Sequence, residues 1–411
     1  MRISERRIKE LASNYQTPLY LYDKQMLIKN LNDYYQYFQS ELFSCQVLYA
    51  SKAFSVNKMY QLVKEAKLGV DVVSYGELYT AIKAGIDPNM IYFHGNNKSL
   101  AEISYALKSG IYCFVADNMG ELEDLVLLCH KLKTKCRVML RMNVGVEAHT
   151  HKYIVTSHLD SKFGILINST EYFQAIEYLR TQDVITLIGY HSHIGSQIFD
   201  MSAFYAAIDK LILLLNNHQE KLALNLGGGF GVYYKDGDHP LTIKEYCQTI
   251  IKYTEKKLKA NNLEISQLLI EPGRSIVAEA GYQIYTIGNQ KKTANKSYCF
   301  IDGGMSDNIR PALYQAEYSC NLVGKFKESK DHIYTIAGKC CESGDILIEN
   351  AKLPKVEKGD LLIVYTCGAY GYSMASNYNK LLLASVVFEG DNESELVCQR
   401  QSIQELLERE L

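Results

Sequence analysis

The sequence lacks tryptophan, has only six prolines among 411 residues, and contains no long apolar run. Its apolar stretches, such as 211–215, are far too short to cross a bilayer. The opening residues, MRISERRIKELASN, are charged and do not have the apolar centre of a signal peptide. We therefore expect a protein that does not span a membrane and that works in the cytoplasm.

An excess of either charge is also missing. The 44 basic and 46 acidic residues give a formal net charge of −2, and no polybasic block stands out. This balance argues against binding to nucleic acid or to a membrane surface. The 11 cysteines lack CxxC spacing, which argues against a disulfide framework and against a structural zinc site.

What the sequence does contain is a regular alternation of β-rich apolar runs with stretches of helical periodicity. The runs that predict strands are 46–51, 69–74, 91–95, 112–116, 137–143, 187–194, 222–227 and 268–271. Eight strands alternating with helices are typical of a (β/α)8 barrel of the TIM type, with a doubly wound open sheet as the competitor. The count of eight favours the barrel, which we place at 27–277.

The alternation ends near residue 278. Strand-like runs then follow one another with few helices between them, at 298–301, 333–337, 361–367, 383–388 and 395–399. They predict a second, antiparallel β-domain, formed by 1–26 and 278–411, that takes in an early strand at 18–22. A long connection at 144–164 is predicted to be a lid or a binding loop, because structureless loops of that length are usually functional.

Polar residues and glycines cluster at the ends of the predicted barrel strands, where barrel enzymes have their active sites. These residues are Lys52, Asp71, His94, His191, His193, Ser196, Gly227, Gly228, Gly229, Glu271, Gly273 and Arg274. Their agreement in position carries more weight than any single motif.

Lys52 ends the first barrel strand, in VLYASKAF. Burying an unpaired ammonium is costly, so the ordinary interpretation is a lysine whose charged end reaches solvent. The alternative is a Schiff base, for which a partly desolvated lysine amine is well suited.

The ends of the seventh and eighth strands suggest an anion site. The glycines at 227–229 could let backbone N–H groups converge on an anion, although a tight turn is the usual reason for three glycines. Barrels most often bind phosphate here, and Arg274 adds a charged fork, with a surface ion pair as its alternative role. Glu271 would repel a phosphate unless it faced a cation such as a protonated pyridine nitrogen. A lysine, a phosphate site and a carboxylate are what pyridoxal 5'-phosphate needs as bonding partner, anchor and pyridinium partner.

The histidines allow more than one interpretation. His193 is placed to lie against a pyridine ring, whereas a hydrogen-bonded core pair remains open for His191 and His193. A metal site is a further alternative, because His149/His151 and His191/His193 are two His-x-His pairs. Against it, the first pair lies in a polar loop and no carboxylate is obviously spaced to complete a ligand set. We therefore predict no metal.

The motifs along the chain resemble those of the diaminopimelate decarboxylase family, in the pyridoxal-phosphate fold type III group that includes alanine racemase. The resemblance covers nearly the whole chain in the right order. It rests on YASKAF, DVVSYGELYTAIKAG, FHGNNKS, AHTH…DSKFG, HSHIGSQ, LNLGGGFG, EPGRSIVAEAG, DGGMSDNIRPALY, CESGDIL and GAYGYSMASNYN. It implies a barrel with a β-domain, a pyridoxal phosphate cofactor, an amino-acid substrate, and a head-to-tail homodimer whose active sites draw on both subunits.

The resemblance implies a role for each matching residue around the cofactor. Lys52 would form the Schiff base with Asp71 beside it, and His193 would stack on the ring. Glu271 would pair with the pyridinium nitrogen. The phosphate would be bound by Ser196, Gly227, Gly228, Gly229, Gly273 and Arg274, with Tyr370 closing over it.

Other matching residues would bind the substrate. Arg310 and Tyr314 would bind a substrate carboxylate, and Arg274 and Tyr370 also belong to the implied substrate contacts. Cys341 and Glu342 would enter the partner's site. There, Cys341 would act near the reacting carbon and Glu342 would recognise a substrate amine.

The implied reaction is the decarboxylation of meso-diaminopimelate to L-lysine and carbon dioxide, the last step of lysine biosynthesis. The alternatives are a related decarboxylase of ornithine or arginine, and a non-catalytic regulatory paralogue. Alanine racemase is disfavoured, because that family has an arginine at the pyridine nitrogen where this chain has Glu271. Three departures touch no predicted catalytic group: SKAF where many relatives have LKAN, Thr156-Ser157 for a common Thr-Gly, and KLLLASVVF for a segment with RPRP.

Overall fold

The structure is a computed structural model that describes residues 3–146, 161–391 and 393–411. Most of the predicted 144–164 loop, with His149, His151, Thr156 and Ser157, lies outside the described residues. The chain divides into two compact units. The barrel unit comprises Asn30–Gly231 and Pro240–Ser275, and the β-rich unit comprises Met1–Lys29, Val232–His239 and Ile276–Leu411.

Eight parallel strands close into a ring in the barrel unit, which confirms the predicted barrel. After β1 (Leu19–Asp23), which belongs to the β-rich unit, the chain forms β2 (Ser44–Ala50), β3 (Gly69–Val72), β4 (Ile91–Phe93), β5 (Cys113–Ala116), β6 (Cys136–Asn143), β7 (Ile165–Leu166), β8 (Ile185–His191), β9 (Ala223–Asn225) and β10 (Gln267–Ile270). The ring order is β2-β3-β4-β5-β6-β8-β9-β10, β10 pairs with β2 again, and the short β7 lies beside β6. Strands β8, β9, β10 and β2 are therefore consecutive neighbours.

The interior of the ring is filled by apolar side chains from at least six strands. They form one buried cluster: Leu48, Tyr92, Cys113, Val115, Met139, Ala223 and Leu269. Parallel strands that are covered on both faces read as nearly continuous apolar runs, which is why they were recognisable in the sequence. Polar residues at the strand ends therefore stand out against an apolar interior.

Several barrel helices begin soon after the strands, at polar capping residues. The helices are α1 (Glu5–Tyr15), α2 (Lys24–Tyr37), α3 (Asn57–Glu65), α4 (Tyr75–Lys83), α5 (Leu100–Ser109), α6 (Met119–Leu132), α7 (Thr170–Thr181), α8 (Ser202–Leu215), α9 (Ile243–Asn261), α10 (Arg274–Val277), α11 (Arg310–Tyr314) and α12 (Ile403–Leu407). Ser74 and Asn118 each accept an N–H bond from the first turn of their helix, and Ser99 forms a capping box with Glu102. These caps keep the connections after the strands short. Among the described residues, no helix is long and apolar enough to cross a membrane.

The β-rich unit contains a mainly antiparallel sheet. Its remaining strands are β11 (Gly281–Lys292), β12 (Ser297–Ile301), β13 (Cys320–Leu322), β14 (His332–Ala337), β15 (Ile346–Leu353), β16 (Leu361–Val364), β17 (Ser385–Glu389) and β18 (Ser394–Cys398). The main order is β15-β14-β12-β11-β1-β17-β18, and β16 pairs with both β11 and β13. The pairs β1–β17 and β12–β14 are parallel.

The N-terminal strand β1 lies between β11 and β17, which confirms that the second sheet takes in the early strand. Every residue of β1 is buried, and α1 packs Ile8 and Leu11 into the same core as Leu19 and Leu21. Burial of such side chains is worth about 2 kcal/mol each before the cost of ordering the chain. Residues 3–29 are thus an integral part of this unit.

The longest segment that we predicted to belong to the barrel but that is grouped with the β-rich unit lies in the middle of the chain. It is Val232–His239, directly after the glycine-rich turn. The hydroxyl of Tyr234 accepts a hydrogen bond from Arg310 at 3.2 Å, and the carbonyl of Tyr233 accepts one from Thr366 at 3.2 Å. These contacts explain the grouping, and they could not be predicted because they join residues far apart in the sequence.

Candidate active site

Three neighbouring barrel strands end in polar side chains that meet. His191 is the last residue of β8, Asn225 is the last of β9, and Glu271 directly follows β10. The strand register pairs His191 with Asn225, and Asn225 with Leu269. Because parallel neighbours end at the same face, these three side chains come together without the help of a loop.

The carboxylate of Glu271 is held from several sides. Its Oε1 accepts a hydrogen bond from Asn225 Nδ2 at 2.7 Å, and its Oε2 accepts one from His191 Nε2 at 3.1 Å. The Nε2 of His94, at the end of β4, lies 2.9 Å from Oε1 and 3.8 Å from Oδ1 of Asp71. All of these side chains are buried.

These contacts change the protonation of the buried groups. Burial alone would raise the pKa of Glu271, but the neighbouring imidazoles of His94 and His191 hold that pKa well below its usual value. Burial lowers the pKa of His191 to about 4, so its Nε2 donates from a neutral ring at neutral pH. Glu271 is therefore an anion with fixed partners.

The three glycines after β9 form a turn with no room for side chains. Gly227 and Gly229 have φ values of +66° and +106°. A Cβ on Gly228 would lie 2.2 Å from the carbonyl oxygen of Glu271. Packing and backbone conformation therefore require glycine here, in addition to any role in binding an anion.

Two N–H groups of this turn are engaged within the protein. Gly227 donates to Oδ1 of Asn225 at 3.0 Å, and Gly228 donates to Nδ1 of His193 at 3.2 Å. These bonds fix the amide of Asn225 and the ring of His193. That N–H groups of this turn can converge on an anion stays a prediction. Burial, followed by the charge of Lys52, lowers the pKa of His193 well below its usual value.

The segment after β10 carries the predicted arginine. Nη2 of Arg274 donates to Oγ of Ser196 at 2.8 Å, so these two predicted phosphate ligands are in contact. A Cβ on Gly273 would lie 3.0 Å from the Cβ atoms of Ala50 and Ala53. Glycine at 273 thus lets this segment lie close against the turn that carries Lys52.

Lys52 lies in a short 3-10 turn, Ser51–Ala53, directly after β2. The hydroxyl of Tyr49 donates to the carbonyl of Phe54 at 2.9 Å and so fixes both sides of this turn. The side chain of Lys52 is exposed, not partly desolvated as a Schiff-base lysine was expected to be. Asp71 is paired in register with Ala50 on the neighbouring strand; burial raises its pKa and the nearby charge of Lys52 acts against that rise.

One reason given against a metal was wrong. We found no carboxylate spaced to complete a ligand set with His191, yet the ligand atoms of His94, His191 and Glu271 lie within 4.8 Å of one another. The three residues are far apart in the sequence and follow or end three separate strands, so their proximity could not be recognised from the sequence. The hydrogen bonds of Glu271 to His191 and Asn225 account for the arrangement without an ion.

The β-rich unit holds a second cluster, around Arg310. Nη1 of this buried arginine donates to the hydroxyls of Tyr318 at 2.6 Å and of Tyr234 at 3.2 Å. Its guanidinium also lies 5.6 Å from the ring centre of Tyr370, a residue with a positive φ of 64°. Arg310 and Tyr370 are thus brought together, and Tyr314 ends the same short helix that Arg310 begins, half-buried.

Cys341 and Glu342 lie on an exposed turn between β14 and β15. The N–H of Cys341 donates to Oδ1 of Asn379 at 2.7 Å, and the hydroxyl of Tyr378 donates to Oε2 of Glu342 at 3.4 Å. Side chains of the NYN motif therefore form hydrogen bonds with the turn that carries the CES motif. Neither motif alone indicates this contact.

Sequence reasoning missed several of these residues. Asn225, Tyr234 and Tyr318 were not named, and His94 was placed at a strand end without a role. A polar residue between leucines at the end of a predicted strand, as in LNLGGG, was the available signal for Asn225. For the two tyrosines no signal distinguished them among the 32 in the chain.

Comparison with known proteins places these features in a family. A family model described as "Pyridoxal-dependent decarboxylase, pyridoxal binding domain" matches residues 28–278. The diaminopimelate decarboxylase of Halalkalibacterium halodurans is 46% identical over 97% of this chain and 92% of its own length. That of Bacillus subtilis is 45% identical over 98% of this chain and 93% of its own.

The solved structures agree with the sequence comparison. The crystal structure of diaminopimelate decarboxylase from M. jannaschii in complex with L-lysine is similar with a TM-score of 0.91 and 32% identity. The similarity covers 98% of this chain and 94% of that one. The barrel, the β-rich unit and the order of the motifs are thus those of a known enzyme group, and the chain belongs to the diaminopimelate decarboxylase family of pyridoxal-phosphate-dependent decarboxylases.

Proposed function

We propose that this protein is a pyridoxal-phosphate-dependent enzyme that decarboxylates meso-diaminopimelate to L-lysine and carbon dioxide, the last step of lysine biosynthesis. The observation that carries the proposal is the meeting of Lys52, Glu271 and the Gly227–Gly229 turn at the ends of β2, β10 and β9, which are neighbours in the ring. Family membership supports it over nearly the full length of the chain.

The residues present fit pyridoxal phosphate at both ends of that molecule. Glu271 is a buried anion with fixed partners, which suits a protonated pyridine nitrogen. Arg274 and Ser196 are in contact and together offer a guanidinium and a hydroxyl for a phosphate. We also assign Gly227, Gly228, Gly229 and Gly273 to the phosphate. In the protein alone, the N–H groups of Gly227 and Gly228 donate to Asn225 and His193.

Pyridoxal phosphate, when bound, supplies an aldehyde that bonds an amine and a ring that accepts electrons from the breaking bond. Lys52 offers the amine for that bond, from a turn fixed by Tyr49. Asp71, in register with Ala50 on the neighbouring strand, is assigned to the place beside this lysine. His193, whose Nδ1 accepts the N–H of Gly228 and whose pKa is lowered by burial, would lie against the pyridine ring as a neutral imidazole, which avoids placing two positive charges together.

Arg310 is assigned to a substrate carboxylate. Its guanidinium is oriented by two tyrosine hydroxyls and is too deeply buried to remain without an anion at low cost. We assign Tyr314 to the same carboxylate. Tyr370 would close over the phosphate and contact the substrate, and Arg274 would also contact the substrate. A second amino-acid head group, with both a carboxylate and an amine, matches Arg310 together with Glu342 better than the single amine of ornithine does.

We further propose a cytoplasmic homodimer with active sites shared between subunits. Cys341 and Glu342 are exposed on one turn, where they are available to a partner. In the partner's site, the thiol of Cys341 would handle the proton that replaces the departing carboxylate, and Glu342 would bind the distal amine. The scattered cysteines suit the reducing cytoplasm.

The test is release of carbon dioxide from meso-diaminopimelate, ornithine and arginine by the purified protein with added cofactor. We expect release from diaminopimelate, with lysine formed in equal amount, and release slower by roughly a thousandfold or more from the other two, since unmatched buried charge is penalised heavily. Release from ornithine or arginine alone would move the protein to a related decarboxylase. Absence of release from all three would support a non-catalytic regulatory protein instead.

A further inference from the structure

The carboxylate of Glu271 is oriented by two residues to which the proposed function gives no role. His191, Asn225 and Glu271 are 1%, 0% and 5% exposed, so solvent does not satisfy their polar atoms. All three lie at the ends of adjacent strands of a closed ring, where the backbone register fixes their spacing. Their contact is therefore a rigid property of the barrel.

The amide of Asn225 has one orientation. Its Oδ1 accepts from the N–H of Gly227 at 3.0 Å, and its Nδ2 donates to Oε1 of Glu271 at 2.7 Å. Exchanging the two amide atoms would place an acceptor against a carboxylate and a donor against an N–H, so both bonds would be lost. Asn225 thus ties the glycine turn to the acidic group.

The two oxygens of Glu271 differ in how much of their capacity is used. Oε1 has Asn225 at 2.7 Å and the Nε2 of His94 at 2.9 Å. Oε2 has His191 Nε2 at 3.1 Å. An ionised carboxylate has about four acceptor positions, about two on each oxygen. The contact of His94 Nε2 with Oε1 lies outside hydrogen-bond geometry, but at 2.9 Å it occupies the remaining side of Oε1. Among the described residues, Oε2 is therefore the oxygen that is open to one more donor.

We propose that His191 and Asn225 are positioning residues that hold Glu271 in one orientation, so that Oε2 accepts the N–H of the cofactor's pyridine ring. This inference rests on the proposed function and deepens it. Anchored donors cost no reorganisation when the cofactor binds, which is how residues behind an active-site group increase its effect. A carboxylate without them would have to be ordered by the cofactor itself.

The experiment compares two ligands in the cofactor-free protein. They are pyridoxal phosphate and its analogue in which a carbon replaces the ring nitrogen, which has no ring N–H for Glu271. His191→Phe removes the donor but keeps a ring of similar size against His94, whose ring lies 4.8 Å away. A chelator is present, because His94, His191 and Glu271 could also bind a transition metal.

We expect the wild-type protein to bind pyridoxal phosphate more tightly than the analogue. In His191→Phe the affinity for pyridoxal phosphate should fall about tenfold, the effect of losing a hydrogen bond to a charged group. The affinity for the analogue should change by less than about twofold. His191→Gln, which can again donate, should restore most of the preference. Asn225→Ala should lower the preference as His191→Phe does, and it keeps the test open if His191→Phe does not fold.

The matched control is His218→Phe. This half-buried imidazole of the same unit bonds the hydroxyl of Tyr190 at 2.7 Å, outside the cluster around Glu271, and its loss should leave the preference unchanged. If His191→Phe weakens both ligands equally, or neither, His191 has only a structural role and the inference is wrong. If the wild-type protein binds neither ligand, the proposed function itself fails.

Discussion

At the scale of single residues, burial also sets the protonation of an acid in the β-rich unit. Asp307 in the β-rich unit is 5% exposed, and burial raises its pKa from 3.8 to about 7. Its Oδ2 accepts the N–H of Gly304 at 2.9 Å and so shapes the turn that precedes Arg310. The folded protein keeps a proton on Asp307 at a pH where the unfolded chain has released it.

This difference predicts a pH-dependent effect of Asp307→Asn. The stability that comes from the raised pKa is fully present below pH 3.8 and is lost as the pH rises through about 7. Asparagine remains neutral and still accepts from Gly304. We therefore expect the variant to be more stable than the wild type at pH 8, by up to about 4 kcal/mol, and of similar stability at pH 4. Urea unfolding at the two pH values measures the difference.

The control for this pair is the exposed Asp183→Asn, which should change stability little at either pH. A difference between Asp307→Asn and the wild type that is the same at both pH values would show that the carboxyl of Asp307 is not protonated in the folded protein.

At the scale of elements, the barrel strands were predicted to within a few residues of their ends. The run at 137–143 corresponds to Cys136–Asn143, and the run at 268–271 to Gln267–Ile270. Buried parallel strands can be recognised in a sequence by their continuous apolar runs. Because the ends of these runs were known, Lys52 and Glu271 could be placed at the ends of barrel strands. The strands of the antiparallel unit were predicted less completely. The 12-residue strand Gly281–Lys292 was missed, because its second half is polar and exposed.

The partners of the site residues were the part that the sequence could not reveal. That Lys52 follows one strand and Glu271 another is visible in the pattern. Strand register brings His191 and Asn225 to Glu271. A tertiary contact brings Tyr318 to Arg310. Neither can be read from the sequence pattern. Two N–H groups of the glycine turn likewise have side-chain acceptors that only the folded chain brings near.

The glycine turn gives a prediction at this scale. Gly228→Ala places a Cβ 2.2 Å from the carbonyl oxygen of Glu271, whereas Gly120→Ala in α6 places one 3.5 Å from the nearest atom. Without cofactor, the first change should lower the free energy of unfolding by at least about 2 kcal/mol. The second should leave it unchanged or raise it by up to about 1 kcal/mol, since alanine favours helix.

Thermal or urea unfolding of the cofactor-free variants measures both values. Equal stability of Gly228→Ala and the wild type would mean that the backbone can relax, and that glycine is needed there only for the phosphate.

At the scale of the whole molecule, the proposed residues are divided between the two units. The barrel unit carries Lys52, Glu271 and the glycine turn, and the β-rich unit carries Arg310, Tyr370, Cys341 and Glu342. The proposed sharing of sites between subunits predicts that two inactive variants complement each other. Lys52→Ala and Cys341→Ala, mixed in equal amounts and allowed to exchange subunits, should regain about a quarter of wild-type activity, because half of the dimers are mixed and each has one intact site.

Each variant alone, treated in the same way, serves as the control and should remain inactive. If the mixture also stays inactive although subunits exchange, Lys52 and Cys341 act within one chain.

The central claim is that Lys52, at the end of the first barrel strand, bonds the cofactor. Reduction of the cofactor-loaded protein with borohydride, followed by peptide mass analysis, tests this most directly. We predict that the peptide containing Lys52 carries the added mass of the reduced cofactor, and that Lys52→Ala carries none while Lys58→Ala is labelled like the wild type. Label on a different lysine, or a tightly bound cofactor that leaves no label on Lys52, would contradict the account.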